Sequence, residues 1–253
     1  MVKKSVKTML VALAASSMVA CTSTPTKQAE LAANGETAQL NLLASEQFIP
    51  QIQYDKQNLP LPYEAEANPY SRQQGRIDKQ AIVQFIDAQR QFDAGKLDLA
   101  LSQAQALTET EPKLSGPWLI IGNVAAEREQ LDKAQQAYSS AIDTNAKNVN
   151  AYLRLALTQR RSGEYLLAQN TLVRALETWP DFPEAHLNIA VLYDIYLNHP
   201  IRAQRHYEAY QFLSHGKDAE ANKWLAEVQS RTGLASKLEV GMDQRPELEL
   251  EDE

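Results

Sequence analysis

Apolar residues recur at the spacing of an α-helix from about Ser71 onward. In the first such stretch they lie three, four or seven positions apart and so fall on one helix side: Ile82, Phe85, Ile86 and Phe92. After Gly95 a second amphipathic stretch follows, and Pro112 closes it: Leu97, Ala100, Leu101, Ala104 and Leu107. There is no evident run with the alternating pattern of a β-strand. The pattern predicts an all-α protein built from pairs of helices.

The helix pairs repeat with a period of 34 residues. Six positions show this: Trp118, Ile121, Gly122, Ala134, Tyr138 and Ala141 recur as Tyr152, Leu155, Ala156, Ala168, Leu172 and Ala175. Small residues at 134 and 168 allow two antiparallel helices to pack closely, and the large residues at 118 and 152 fill the space between pairs. The period predicts a stack of equivalent units that contact their neighbours.

This pattern resembles the tetratricopeptide repeat (TPR), which opens with W-x2-L-G-x2-Y and ends in proline. Here the opening reads Trp118-x2-Ile121-Gly122-x2-Ala125, and the closing proline is Pro180. The resemblance implies a right-handed superhelical solenoid of about four helix-turn-helix repeats with a C-terminal capping helix. We expect a domain over 71–235, with repeats at 81–114, 115–148, 149–182 and 183–217 and a cap at 218–233.

Two of these repeats depart from the pattern. The first carries Asp87 where leucine is usual, which is typical of a terminal repeat with one face toward solvent. The fourth gains one residue, which we assign to the turn Leu197-Asn198-His199-Pro200, since the second-helix pattern resumes one position late at Ala203. Both departures leave the overall period intact.

The first twenty residues are predicted to be a signal peptide. Lys3, Lys4 and Lys7 precede an apolar run that is too short to span a bilayer. The sequence Met18-Val19-Ala20-Cys21 resembles a bacterial lipobox, in which the cysteine receives acyl chains, palmitate among them. An ordinary cleaved signal with an incidental cysteine is the alternative. Thr22 rather than aspartate after the cysteine favours, by the same resemblance, the periplasmic side of a Gram-negative outer membrane.

Segments 21–70 and 236–253 flank the predicted solenoid. The first is polar and interrupted by Pro60, Pro62 and Pro69, so we interpret it as the lipidated N-terminus and a flexible tether. Two apolar clusters lie in it, 40–43 and 48–50, which either dock locally onto the solenoid or bind a partner. The second segment ends Glu-Leu-Glu-Leu-Glu-Asp-Glu and is predicted to be a disordered acidic tail.

Composition excludes several classes of function. Removal of residues 1–20 changes the formal net charge from −7 to −10, and an acidic chain without a basic patch argues against nucleic acid. One cysteine excludes a disulfide framework and a cysteine zinc site. The four histidines, His186, His199, His206 and His215, have no i, i+3 or i+4 pair. No catalytic motif is present. We expect no enzyme, cofactor or metal.

A partner-binding surface is what remains. In the TPR family the first helix of each pair lines a concave groove that binds an extended or helical segment. By that resemblance the groove residues are Phe85, Leu119, Asn123, Leu153, Leu157, Arg160, Arg161, Leu187 and Val191. The alternative is that these leucines only pack between adjacent first helices. Lysines typical of carboxylate-binding members are replaced by apolar residues, which favours an amphipathic or proline-containing guest.

The fourth repeat also resembles, more loosely, proteobacterial TPR lipoproteins associated with TonB-type or pilus-assembly complexes. That resemblance implies a scaffold in an envelope complex, held at the outer membrane by its lipid. The alternatives are a pilotin that escorts a secretin and a non-catalytic regulator of a peptidoglycan enzyme.

Overall fold

The computed structural model describes residues 41–73 and 75–238, which form one compact unit. The predicted signal peptide, Cys21, the first part of the predicted tether (21–40) and residues 239–253 of the acidic tail lie outside the described residues.

Within those ranges the structure has nine α-helices and no β-strand, so the predicted all-α class is confirmed. Consecutive helices pack against each other to form a right-handed solenoid of helix pairs. The helices are α1 (Lys79–Asp93), α2 (Leu97–Thr110), α3 (Gly116–Glu127), α4 (Leu131–Thr144), α5 (Val149–Arg161), α6 (Tyr165–Thr178), α7 (Pro183–Val191), α8 (Pro200–Leu213) and α9 (Ala219–Thr232).

Local chemistry explains where the helices begin and turn. The carboxylates of Asp78 and Asp218 accept the free backbone N–H groups at the starts of α1 and α9. Each pair turns at a left-handed residue, and this position recurs with the repeat: Gly95, Glu129, Gly163 and Asn198. Only glycine adopts that conformation without steric cost, so the turn at Glu129 is the most strained of the four.

Small residues hold the two helices of each pair together. Ala100, Ala134, Ala168 and Ala203 occupy equivalent positions on the second helices, and all are fully buried. Gly122 has the same role on α3, where the ring of Tyr138 lies directly over it. The core therefore depends on close packing of the two helix backbones as much as on large side chains.

The extra residue of the fourth repeat lies in a helix and not in the predicted turn. After α7 the chain forms a π-helical turn over Leu192–Tyr196, with Leu197 N–H donating to Leu192 O at 2.9 Å. The connection that follows, 197–199, has the same three residues as 162–164 of the third repeat. A π turn holds one more residue than an α turn, which corrects the sequence assignment and places Tyr193 inside the core.

The two ends of the solenoid differ. At the C-terminal end α9 buries Ala221, Leu225 and Val228 against the fourth repeat, and Trp224 packs half-buried near Tyr207. At the other end Val83 is 57% exposed, although its equivalents in the later repeats are all buried: Pro117, Ala151 and Ala185. Among the described residues, no helix pair precedes the first repeat to pack on this face.

Residues 41–73, which we call the strap, differ from the flexible tether expected for 21–70. Apart from a short 3-10 turn at Glu46–Phe48, the strap is irregular, and it follows the solenoid from the fourth repeat toward the second. Its contacts include most of the two predicted apolar clusters: Leu42 and Phe48 pack on the main core, and Ile49 packs beside α8. Across the described part of the chain, no helix combines the length and apolarity needed to cross a membrane.

Candidate functional site

The nine predicted groove residues lie on the first helices of the four repeats, and none of them is fully buried. Phe85, Leu119, Leu153 and Leu187 recur at the 34-residue spacing and are all half-buried; Phe85 and Leu119 pack on the core clusters of the first two repeats. Leu153, Leu187 and Val191 touch the main core cluster with one side, while Leu157 belongs to no buried cluster. The surface is therefore an apolar stripe supported from below by the core.

A polar patch borders this stripe at the second and third repeats. Tyr138 donates its hydroxyl to Asn123 Oδ1 at 2.8 Å, and burial raises the pKa of Tyr138 to about 12, although Arg154 and Arg161 oppose that rise. Arg161 makes two 2.7 Å contacts with both carboxylate oxygens of Glu129. That ion pair fixes the guanidinium at the strained turn of the second repeat.

Arg160 links the third repeat to the fourth. Its guanidinium donates to Asn188 Oδ1 on α7 at 3.4 Å, while Arg154 lies exposed on the same helix as Arg160. Arg154 and Arg160 therefore give the groove a positive border within an acidic protein, whereas the charge of Arg161 is balanced by Glu129. Such a border favours a guest that carries a carboxylate.

The strap is held in part by hydrogen bonds to its main chain, which no sequence pattern indicates. The side-chain amide of Asn170 on α6 binds the main chain twice: Oδ1 accepts from Leu43 N–H, and Nδ2 donates to Asn41 O, both at 2.9 Å. Gln169 Nε2 donates to Leu43 O at 3.0 Å. Amide groups that read main-chain atoms recognise an extended segment largely irrespective of its side chains.

Farther along, the strap is anchored to the connection between α6 and α7. The buried carboxylate of Asp181 accepts from the Tyr63 hydroxyl at 2.6 Å and from Glu66 N–H at 2.7 Å. Trp179 Nε1 donates to Glu66 O at 2.6 Å. Burial and the neighbouring Asp181 carboxylate raise the pKa of the Tyr63 hydroxyl well above its usual value, so it stays a donor.

A buried polar network joins the strap to the fourth repeat. His186 on α7 and His206 on α8 approach with 2.9 Å between their Nδ1 atoms, and both rings are fully buried. His186 Nε2 lies 2.9 Å from Pro180 O, and His206 Nε2 lies 2.8 Å from Ser45 Oγ of the strap. Ser45 Oγ in turn lies 2.9 Å from the Tyr193 hydroxyl.

The network has one proton order when both rings are neutral. Pro180 O only accepts, so His186 Nε2 carries its hydrogen and His186 Nδ1 accepts from His206 Nδ1–H. His206 Nε2 must then accept from the Ser45 hydroxyl. Desolvation lowers the pKa of His186 to about 4 and lowers that of His206 well below its usual value, which keeps both rings neutral at pH 7.

This arrangement does not suit a metal. A 2.9 Å separation between two ring nitrogens is a hydrogen bond, and no cluster of three or more potential ligands occurs in the ranges that the structure covers. The histidines were not expected to pair because no two fall on one helix face. The structure pairs two of them from neighbouring helices, which spacing along a single helix does not reveal.

Comparison with solved structures supports the fold. The chain is similar to TTC0263, a thermophilic TPR protein of Thermus thermophilus, with 20% identity over 60% of this chain and 82% of the other and a TM-score of 0.51. A crystal structure of MamA gives 16% identity, 62% and 85% coverage and a TM-score of 0.53. MamA from Desulfovibrio magneticus RS-1, residues 41 to the end, has 15% identity over 62% of this chain and 88% of the other, with a TM-score of 0.52. No family profile and no curated protein sequence matches the chain.

Proposed function

We propose that this protein, which has the TPR fold, is a scaffold whose concave groove holds a segment of another protein. The observation that carries the proposal is the half-exposed apolar stripe, one residue per repeat, at Phe85, Leu119, Leu153 and Leu187. Each of these residues packs on a core cluster with one side and leaves its other side accessible, unlike Ile120 and Leu172, which are sealed from solvent. Repeated half-exposed apolar positions match an elongated guest.

The chemistry of the groove border indicates what kind of segment binds. Apolar side chains of the guest would lie on Leu153, Leu157 and Leu187, while the guanidinium groups of Arg154 and Arg160 would meet acidic side chains at its edge. An amphipathic or proline-containing segment with an acidic flank satisfies both requirements. The same border disfavours a basic guest because like charges would be brought together.

We place the protein at the periplasmic side of the outer membrane of a Gram-negative bacterium, anchored through acyl chains on Cys21. The support for this is the sequence of the first 22 residues. Anchoring there makes an envelope complex the setting of the scaffold, with TonB-type energy transduction as the leading candidate. The other candidates are a pilotin and a non-catalytic regulator of a peptidoglycan enzyme.

A substitution pair tests the groove. Leu157→Glu places a carboxylate on the half-exposed stripe, whereas Leu166→Glu makes the same change at an exposed position at the start of the second helix of that repeat. Both variants should melt close to the wild type, since substitutions outside the core change stability by about 0.5 kcal/mol or less. Only Leu157→Glu should lose partner capture, because a few central apolar contacts dominate such interfaces.

The measurement is affinity capture of the tagged, membrane-anchored chain after cross-linking, with thermal melting of each purified variant. Normal capture by a natively folded Leu157→Glu variant would refute the groove. Loss of secretin multimers from the outer membrane on deletion would favour the pilotin. Stimulation of a purified wall enzyme would favour the regulator.

A further inference from the structure

The first ten strap residues, 41–50, are bound like a peptide ligand. Asn170 and Gln169 hold the main chain of Asn41 and Leu43, and the Ser45 side chain enters a closed slot where it is fully buried. At the mouth of the slot, Arg202 contacts Glu46 with 2.7 Å between Nε and Oε1. We call residues 41–50 the latch.

The polar groups that bind the latch belong to the third and fourth repeats. Gln169 and Asn170 are on α6, Tyr193 is in the π-helical turn, and Arg202 and His206 are on α8. The π turn matters because it carries Tyr193, whose hydroxyl receives Gln169 Nε2–H at 3.0 Å and faces Ser45. These groups form a site separate from the predicted groove residues of the first helices.

We propose that this slot is a binding site for an extended segment with a serine at its centre, that the latch is its resident ligand, and that protonation of the His186–His206 pair empties it. In the occupied state the Ser45 hydroxyl is the donor to His206 Nε2, so the site recognises the serine by its proton as well as by its size. Alanine at this position cannot make the contact.

Protonation of either ring has the same effect on the latch. Only one hydrogen can lie between the two Nδ1 atoms, so a proton added to the pair leaves His206 Nε2 with a hydrogen in every arrangement. Ser45 can then only accept from His206. Because Gln169 presents Nε2–H to the Tyr193 hydroxyl, the hydrogen of either Ser45 or Tyr193 is left without an acceptor.

Release of the latch removes this conflict. With Ser45 gone, water reaches His206 Nε2 and accepts its hydrogen, so the imidazole becomes easier to protonate. The open state therefore binds a proton that the closed state excludes, and acid favours the open state. Burial, which lowers the pKa of both rings in the closed state, acts in the same direction.

Other ionisable groups around the pair have distinct effects. Asp181 lies near His186 and favours its charged form, whereas Arg202 opposes a charge on His206. Glu46 of the latch is bound to Arg202, so this carboxylate also holds the latch. The side chain that α6 contributes to the network is uncharged Gln169. His199 contacts the Tyr193 ring edge-on, with 5.8 Å between the ring centroids. Arg231 of α9 is paired with Asp194 of the π turn. The carboxylate contribution therefore has to be separated from that of the histidines.

Hydrogen exchange of the intact chain, analysed by mass spectrometry and corrected for intrinsic rates, measures latch opening directly. Between pH 7.5 and pH 5.0, a single proton that binds only in the open state, to a histidine with an ordinary pKa of about 6.5, shifts the opening equilibrium by at most about thirtyfold. Protection of peptides from 41–50 should fall by that order, while peptides from α5 and α6 keep theirs. Unchanged protection of the latch, or a parallel loss in all of these peptides, would overturn the proposal.

Three variants test whether the acid-induced opening of the latch depends on the histidine pair or on Glu46. Ser45→Ala should lose latch protection already at pH 7.5, whereas the control Ser71→Ala, whose hydroxyl bonds only the nearby Asn68 O, should behave as the wild type. Glu46→Gln should keep the midpoint of the acid transition. If the midpoint moves with Glu46→Gln, or if Ser45→Ala stays protected, the histidine pair does not control the latch. Titration of the histidine Cε1–H signals by NMR should coincide with the loss of protection.

Discussion

Replacement of Gly122 by alanine tests how closely the second helix pair is packed. A Cβ atom at this position would lie 2.4 Å from Cε1 and 2.6 Å from Cδ1 of Tyr138. The ring cannot turn away freely, because Tyr138 is 2% exposed and its hydroxyl is bonded to Asn123. The other repeats carry alanine at the equivalent position: Ala88, Ala156 and Ala190.

The expected loss of stability follows from two opposing effects. Overpacking a core costs about 1–3 kcal/mol, and a contact well below 3.0 Å belongs at the upper end of that range. Replacing a helix-interior glycine by alanine returns about 1 kcal/mol of helix propensity. Gly122→Ala should therefore lower the free energy of unfolding by about 2 kcal/mol.

Urea unfolding followed by circular dichroism measures this difference. The matched background is Tyr138→Leu, which reproduces the pairing of Ala156 with Leu172 in the third repeat once Gly122→Ala is added. In that background the alanine should stabilise the chain by about 1 kcal/mol, since only the propensity remains. A wild-type midpoint for Gly122→Ala, or the same loss in both backgrounds, would refute the packing argument.

Three further predictions concern pH, the cap and the anchor. Burial lowers the pKa of His186 to about 4 and that of His206 below 6.5, so the unfolded chain binds more protons than the folded chain in this pH range. The melting temperature should therefore fall as the pH drops below about 6.5 and stay level above it. A rise in melting temperature on acidification would contradict this. Leu225→Ala should lower the free energy of unfolding by about 3 kcal/mol, more than replacement of half-buried Trp224 by alanine. In the Leu225→Ala variant, hydrogen exchange should show α8 losing protection before α3. Cys21→Ser should leave the solenoid folded and abolish membrane attachment in fractionation, and salt-resistant retention of this variant in the outer membrane would exclude lipidation as the anchor.

The repeat architecture was predictable because its determinants are local and recur. Apolar positions such as Ile120 and Leu172 mark the buried side of each helix by spacing alone, and the small residues Ala134 and Ala168 mark where two helices meet. The same pattern recurs in every repeat, so a residue that departs from it at one position does not obscure the 34-residue period. The first-helix leucines were likewise identifiable, although spacing cannot tell a half-exposed position from a sealed one.

The strap was not predictable in the same way, because its contacts neither recur nor depend on apolar side chains. Asn170 and Gln169 bind main-chain atoms, which leave no trace in the sequence of the segment they hold. Proline-rich, polar composition is shared by flexible tethers and by ordered irregular segments. The available signal was the pair of apolar clusters at 40–43 and 48–50. The His186–His206 contact required the register between two helices, which the π turn shifts by one residue.

The strap also changes the way this chain can fold. Helix pairs contact their neighbours in sequence, so a solenoid alone has low contact order and its repeats can form quickly and unfold one at a time. The bond between Ser45 and His206 joins positions 161 residues apart, and Gln73 reaches Asn145 across 72. Such contacts form only after the repeats they touch, so strap docking should be the last and slowest folding step. Once made, it couples the fourth repeat to the second. Unfolding should then start at the first repeat, whose outer face is covered by no other helix among residues 41–73 and 75–238.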